Sequence, residues 1–317
     1  MQNNIGAFFI NVNGRVLDYR IGKELDLNII NNFFEKEYKV RKLWSGGRHV
    51  LGILEKSDKK LFLKLATTEG ISAVTRIEKD WNEVFNKQIS RSKSRFWVPK
   101  NYECGEYNGL FYLITDKFEG QFLSLWPKTK DIENLLTNSL EHIIDFSETI
   151  QKLNTGKTQI LTYNNLDHQQ FFLEKTRDWF GNIPDEIKAD FRIFDLLQIV
   201  EKGVINMACC VRHGDFAPWH FIKLNSGQLG LIDGEHATTS GVEYYDIGYL
   251  TQRIFCVLKK PELAGDLVSL LNKRKYDILK LKIILAARAI GGFLDESLAL
   301  IPDYRYIVRF TNWIKKL

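Results

Sequence analysis

The chain opens with two apolar runs that meet at one dipeptide. Ala7-Phe8-Phe9-Ile10-Asn11-Val12 and Arg15-Val16-Leu17-Asp18-Tyr19 flank Asn13-Gly14, the pair that tight type I′ hairpins favour because both central residues need positive φ. Asp26 is placed to cap a short helix with Leu27, Ile30 and Phe34 on one face. Three strand-like runs follow, over Tyr38 to Trp44, His49 to Leu54 and Leu61 to Leu65. Residues 71–89 switch to a helical period, with Val74, Ile77, Trp81, Val84 and Phe85 sharing a face. Two more strands are predicted around Cys104 and over Leu110 to Thr115, so 38–116 reads strand-strand-strand-helix-strand-strand.

After Glu119-Gly120 the texture becomes helical. Ser139 to Leu153, Gln169 to Phe180 and Pro184 to Glu201 are amphipathic, the last with proline in its first turn. Short strand-like pieces at Ala208 to Arg212 and Gln228 to Asp233 interrupt this, and helices resume from Tyr244 to the end. The division this predicts is an N-terminal lobe over residues 1–116, with 1–36 as a hairpin-and-helix extension, a connection at 117–120, and a C-terminal lobe over residues 121–317 facing the first across a cleft.

Composition narrows the class. A chain of 317 residues, 44% hydrophobic and 26% charged with only 6 Pro, is an ordinary globular profile and excludes disorder. The net charge of +5 is spread without a basic, aromatic stripe, so no nucleic-acid partner is expected. The apolar stretch 283–294 contains Arg288 and is too short to span a bilayer, and Met1 to Val12 lacks the pattern of a signal peptide. Cys104, Cys209, Cys210 and Cys256 form neither a CxxC nor a zinc set, so no membrane association, no disulfide framework and a cytoplasmic setting are expected. Cys209 and Cys210 read as strand-packing residues. Trp97, Trp126, Trp179 and Trp313 read as core or groove walls, and Lys273-Arg274-Lys275 as a solvated helix connection.

The chemistry concentrates in His213-Gly214-Asp215-Phe216-Ala217-Pro218-Trp219-His220 and Leu231-Ile232-Asp233-Gly234-Glu235. Apolar residues lead into each polar cluster, as when a short buried strand delivers a side chain to a cleft. Two carboxylates and an imidazole converging there can hold a divalent cation and leave one carboxylate for a substrate hydroxyl. Lys64, inside Leu61-Phe62-Leu63-Lys64-Leu65-Ala66, is an ammonium in an apolar strand and needs an anionic partner.

Together these residues resemble the aminoglycoside phosphotransferase and choline kinase group, with its α+β, two-lobed, protein-kinase-like fold: a small antiparallel-sheet lobe with one helix and a larger, mainly helical lobe. The resemblance spans about 38–250 and implies phosphoryl transfer from ATP or GTP, with Mg²⁺, to a hydroxyl of a small molecule. It implies Asp215 as the catalytic aspartate, with His213 bracing its loop, and Asp233 as the main metal ligand. Lys64 would sit on the nucleotide phosphates, held by Glu78, with Glu83 as the rival partner. Gly46 and Gly47 would cover the phosphates with backbone N–H groups, or simply form a hairpin turn. Asp116 and Phe118 would offer their backbone to the purine edge.

One position departs from that pattern. His220 stands where most of the group has Asn, as in the macrolide phosphotransferase branch, and reads either as a metal ligand or as a structural histidine. A scaffold that binds nucleotide without turnover is the competing reading. Glu235 and His236 are weaker candidates for contact with the metal site. A polycationic acceptor would want clustered carboxylates. The modest acidic excess of 121–212 is opposed by a basic C-terminal stretch, so the sequence makes no strong case for an aminoglycoside and leaves the oligomeric state open.

Overall fold

The computed structural model describes residues 8–125, 133–154 and 167–317; Trp126 lies outside them. The opening hairpin pairs β1 (Phe9–Val12) with β2 (Arg15–Asp18), and Asn13 and Gly14 take φ of 51° and 79° as a type I′ turn requires. The Asp26 carboxylate accepts from the N–H groups of Asn28 and Ile29 and so starts α1 (Leu27–Phe34). Strands β3 (Lys39–Ser45), β4 (His49–Lys56) and β5 (Lys59–Ala66) lead to α2 (Glu69–Gln88), a two-residue β6 (Phe96–Trp97), β7 (Asn101–Tyr107) and β8 (Leu110–Asp116). Five of these form an antiparallel sheet in the order β3-β4-β5-β8-β7.

The two-residue period of the strands gives this sheet two different faces. Leu61, Leu63 and Leu65 of β5 and Val50 and Leu54 of β4 are buried against Ile30 and Phe34 of α1. Leu51, Ile53, Phe62 and Lys64 point the other way and are only half-buried. Lys64 therefore leaves an apolar strand on its open side.

Beyond Asp116 the chain forms β9 (Gly120–Phe122), α3 (Glu133–Thr137), α4 (Leu140–Gln151) and α5 (His168–Gly181). Next come α6 (Asp185–Asp190), α7 (Ile193–Gly203), β10 (Cys209–Arg212), β11 (Phe221–Leu224), β12 (Leu229–Leu231) and β13 (Thr238–Val242). The end is α8 (Tyr245–Gln252), α9 (Pro261–Lys273), α10 (Ile278–Ser297) and α11 (Arg305–Lys316). A second sheet runs β6-β12-β11-β9, and β10 pairs with β13. Helix α10 is buried from Ile283 to Leu294, with small residues at Ala286, Ala287, Ala289, Gly291 and Gly292 letting its neighbours approach. No helix among the described residues is long and apolar enough to cross a membrane, and the four cysteines are free.

Four details differ from the sequence pattern. Pro184 to Glu201 is two helices: Arg192 takes a left-handed φ of 50° between α6 and α7, a one-residue break that the apolar period reads straight through. Strands β6, β9, β11 and β13, each of two to five residues, have no counterpart in the sequence pattern. Cys209 is exposed and Cys210 only half-buried, so neither is a true core residue. Arg274 is no solvated connector; it clamps α4 through Glu141 and Asp145.

Both α2 and β6 precede the connection at 117–119 yet pack into the helical lobe. Phe85 meets Phe146 with ring centroids 5.7 Å apart, Trp81 meets His213 at 5.5 Å, and β6 pairs in parallel with β12. Trp81 is 1% exposed. It packs so closely beneath Gly234 that a Cβ there would lie 2.2 Å from its Cδ1. Trp81→Ala should therefore destabilise the whole chain by about 3–5 kcal/mol. Urea denaturation measures this, and a loss under about 1 kcal/mol would contradict a core shared between the two lobes.

Candidate active site

The site is built around the Lys64 ammonium. Its Nζ lies 2.5 Å from Glu78 Oε2, 2.6 Å from Asp233 Oδ1 and 2.9 Å from Glu235 Oε1. Three elements meet at this one charge: β5 carries the lysine, α2 carries Glu78, and the turn after β12 carries the other two carboxylates. Glu83, the rival partner, is bound instead to Lys79 at 3.0 Å. Burial opposes the charge on Lys64, but the carboxylates of Asp233, Glu235 and Glu78 overcome it and hold its pKa well above the ordinary lysine value. Glu235 is held down to about 2 against its burial, chiefly by Lys64. Glu78 moves the other way, pushed up by burial against the pull of Lys64, with Asp233 and Glu235 adding to the rise.

Asp233 reaches this position through an unusual backbone. It has φ of 69°, a left-handed conformation that aspartate tolerates better than most residues, and Gly234 then passes over Trp81 where no side chain fits. One Asp233 oxygen faces Lys64. The other lies 3.3 Å from His220 Nε2.

His220 Nδ1 lies 2.9 Å from the carbonyl oxygen of Asp215. That oxygen only accepts, so Nδ1 carries a proton; Nε2 donates to Asp233 when the ring is protonated and offers its lone pair to a cation when the ring is neutral. Burial opposes protonation of this ring, yet Asp215 and Asp233 raise its pKa above the ordinary value. The ligand atoms of Asp215, His220 and Asp233 lie within 4.8 Å of one another, as do those of Glu78, Asp233 and Glu235. Asp233 belongs to both sets. A mixture of carboxylate oxygens and one imidazole fits a divalent cation.

Asp215 follows Gly214, whose φ is 85° and whose Cβ, if present, would lie 2.1 Å from the carbonyl oxygen of His236. The loop is braced by Asp246 at the start of α8, which accepts the N–H groups of His213 and Gly214 at 2.8 Å each. The His213 side chain does not do this. Its two ring nitrogens have no hydrogen-bond partner among the described residues. The ring is packed instead between Trp81 and Phe216. Tyr249, one turn along α8, donates its hydroxyl to the Asp215 carboxylate and accepts from Arg253 at 2.9 Å. Burial works against ionisation of Asp215, but nearby His220 and the Tyr249 hydrogen bond help keep its pKa below the ordinary value.

The glycine loop is a tight turn. Gly46 uses its N–H to bond the His49 carbonyl at 2.8 Å, and Gly47 follows with φ of 78°. The next residue, Arg48, reaches down to Glu235 at 2.7 Å and ties this loop to the Asp233 turn. At the connection, the Asp116 N–H bonds the Lys100 carbonyl and its carboxylate takes Arg91 and the Lys100 N–H. Asp116 is thus committed to the sheet through its N–H. Phe118 packs over Gly230.

The sequence pattern does not bring out Arg48, Asp246 and Tyr249 as a set at the site, and it offers Glu235 only as a weaker candidate for the metal, whereas Glu235 binds Lys64 and Arg48. Asp246 carried a usable signal, a carboxylate inside the apolar run 244–250 that must find buried donors. Tyr249 carried none.

His49 and His213 are 4% and 0% exposed. Burial pushes their pKa values down to about 4 and about 3. The unfolded chain takes up these protons near pH 6.5 and the folded one does not, so stability is lost as pH falls below that value. The loss should be on the order of 2 kcal/mol per ring by pH 5. Urea midpoints at pH 7.5 and 5 should drop less for His49→Gln than for the unaltered protein, and equal drops would contradict the assignment.

No protein-family model matches the sequence, and no curated protein does. Solved structures do. Aminoglycoside phosphotransferase APH(4)-Ia, as a thermostable mutant with ADP and hygromycin B, superposes with a TM-score of 0.66 at 14% identity, covering 91% of this chain and 97% of that one. APH(2")-IIIa in its GDP and kanamycin complex gives 0.60 at 14% identity over 92% and 98%. A type VIII aminoglycoside-3'-phosphotransferase gives 0.55 at 16% identity over 86% and 97%. The antiparallel sheet with its one long helix, joined to a helical lobe, is the two-lobed kinase-like fold of the aminoglycoside phosphotransferases.

Proposed function

We propose that the chain is a small-molecule kinase that transfers the γ-phosphoryl group of ATP or GTP to an alcohol. The observation that carries this is the Lys64 ammonium held by Glu78 and Asp233 beside an Asp215 loop that shares His220 with Asp233. The structural neighbours solved with ADP, AMP-PNP and GDP support a nucleotide in this cleft.

In this reading Lys64 binds the nucleotide phosphates and Glu78 aims it. Gly47 closes over the phosphates, and the connection at Asp116 and Phe118 borders the purine. Asp233 and His220 would hold Mg²⁺, which supplies neutralising charge to the phosphates when bound. Asp215, held by the Tyr249 hydroxyl, orients the acceptor and takes its proton. The acceptor oxygen forms its bond to the γ-phosphorus as the bond to the bridging oxygen breaks. The nucleoside diphosphate leaves with that electron pair.

The test is a Mg²⁺-nucleotide screen across hydroxyl compounds, read by the mass of one added phosphoryl group. Asp215→Ala should lower turnover by about 10²–10⁴ while nucleotide binding persists. Retention of most activity would sink the role of Asp215.

His220 gives a second check. Asp215 and Asp233 raise its pKa against burial, so the ring protonates more readily than a free imidazole and activity should fall in acid. The fall should be steeper at limiting than at saturating Mg²⁺, because metal and proton compete for Nε2. His220→Asn should remain active and lose this limb, and His220→Ala should raise the Mg²⁺ requirement. Identical Mg²⁺ titrations in all three proteins would remove His220 from the metal site.

A further inference from the structure

Beside Asp215 lies a cavity of about 120 Å³, bordered by Lys175 and Trp179 of α5, Tyr249 and Arg253, and Arg288 of α10. Phe8 and Tyr19 of the N-terminal hairpin form its roof. Its charges do not balance. Arg253 is matched, lying 3.1 Å from Asp295 and donating to the Tyr249 hydroxyl. Arg288 is 4% exposed and has no carboxylate within 4 Å among the described residues. Its guanidinium sits over the rings of Tyr249 and Trp179, at 4.4 and 4.9 Å, and reaches the Tyr245 hydroxyl at 3.4 Å, while its Nε has no partner.

Two more cations repeat the pattern. Lys175 has no carboxylate within 4 Å among the described residues and lies 5.6 Å from the Trp179 ring centre. Arg212 is 5% exposed, stacks 3.9 Å over Tyr245, and leaves its Nε without a partner. Ring faces attract cations but do not replace a counter-charge that burial removes from water. The two carboxylates bordering the cavity are Asp215, which the proposed chemistry needs, and Asp295, which Arg253 occupies. Burial works against the Tyr245 phenolate, yet Arg288, Arg212 and Lys175 together pull its pKa below the ordinary value, a sign of how positive this wall is.

We infer that the acceptor alcohol carries an anionic group, a carboxylate or a phosphate monoester, seated against Arg288 and Lys175 while its hydroxyl faces Asp215. Arg288 offers a planar fork suited to two-point recognition of either group. Arg212 stands behind and adds charge without direct contact. An aminoglycoside would instead bring ammonium groups against two unmatched cations, which selects against it. The inference deepens the phosphotransferase reading and rests on it for the placement of the hydroxyl.

The experiment titrates four alcohols by calorimetry into the full chain saturated with Mg²⁺ and a non-hydrolysable ATP analogue: glycerate, glycerol phosphate, glycerol and kanamycin. At least one anion should bind, glycerol and kanamycin should not, and the two anionic arms separate carboxylate from phosphate recognition. Lys175→Met and Arg288→Met should each weaken the anion by roughly tenfold or more, as expected for a lost charge-assisted hydrogen bond. Lys175 is half-buried, so its variant keeps the test valid if the Arg288 variant fails to fold. Anions that bind no better than glycerol or kanamycin, or an anion affinity untouched in a folded Lys175→Met protein, would overturn the inference. In a parallel incubation with ATP in place of the analogue, anion binding with no phosphoryl transfer would leave the anion site standing and sink the kinase reading instead.

Discussion

Everything in the cleft depends on one buried ammonium. Lys64 leaves an apolar strand and finds carboxylates from α2 and from the turn after β12. Without it, Glu78, Asp233 and Glu235 would face one another with Arg48 as the remaining fixed counter-charge. Such a network is costly to assemble and more costly to break. It fixes how α2 stands against the sheet, and through Asp233 how the sheet stands against the helical lobe. Trp81 and Phe85 reinforce the same junction with apolar contact. The fold thus concentrates three carboxylates and two cations at its seam.

The sequence made much of this visible because several local signals agree. The alternation in β4 and β5, the helical period of α2 and the turn at Asn13-Gly14 each come from backbone geometry and survive without tertiary context. Lys64 is legible as a charge in an apolar strand, and Asp215 and Asp233 as polar residues at the ends of apolar runs. What stays hidden depends on contacts distant in sequence. Glu235 is separated from Lys64 and Arg48 by most of the chain, and Tyr249 gains its meaning only when α8 lies beneath Asp215. The Arg192 break and the short strands β6, β9, β11 and β13 leave no periodic trace. His213, a brace by its place in the motif, proves to be a packed ring beside a loop that Asp246 holds by its backbone.

The two sides of Asp215 differ in electrostatic character. On one side lie the carboxylates around Lys64. Toward α5 and α10 lie cations held mostly by aromatic faces, under a roof that the N-terminal hairpin supplies. The hairpin and α1 are thus not a passive extension. α1 seals the outer face of the sheet, while Phe8 and Tyr19 close the cavity. Aminoglycoside phosphotransferases share the architecture, but chemistry belongs to the side chains on it.

In the proposed kinase, the Lys64 network receives the nucleotide phosphates. Calorimetric titration of Mg²⁺-ATP and Mg²⁺-GTP into the unaltered protein and into Lys64→Met, both shown to be folded by circular dichroism, tests it most directly. The account predicts saturable binding of at least one nucleotide to the unaltered protein and an affinity lower by about tenfold or more without the ammonium. Equal affinity in the two proteins, or no nucleotide binding to the unaltered protein, would contradict it.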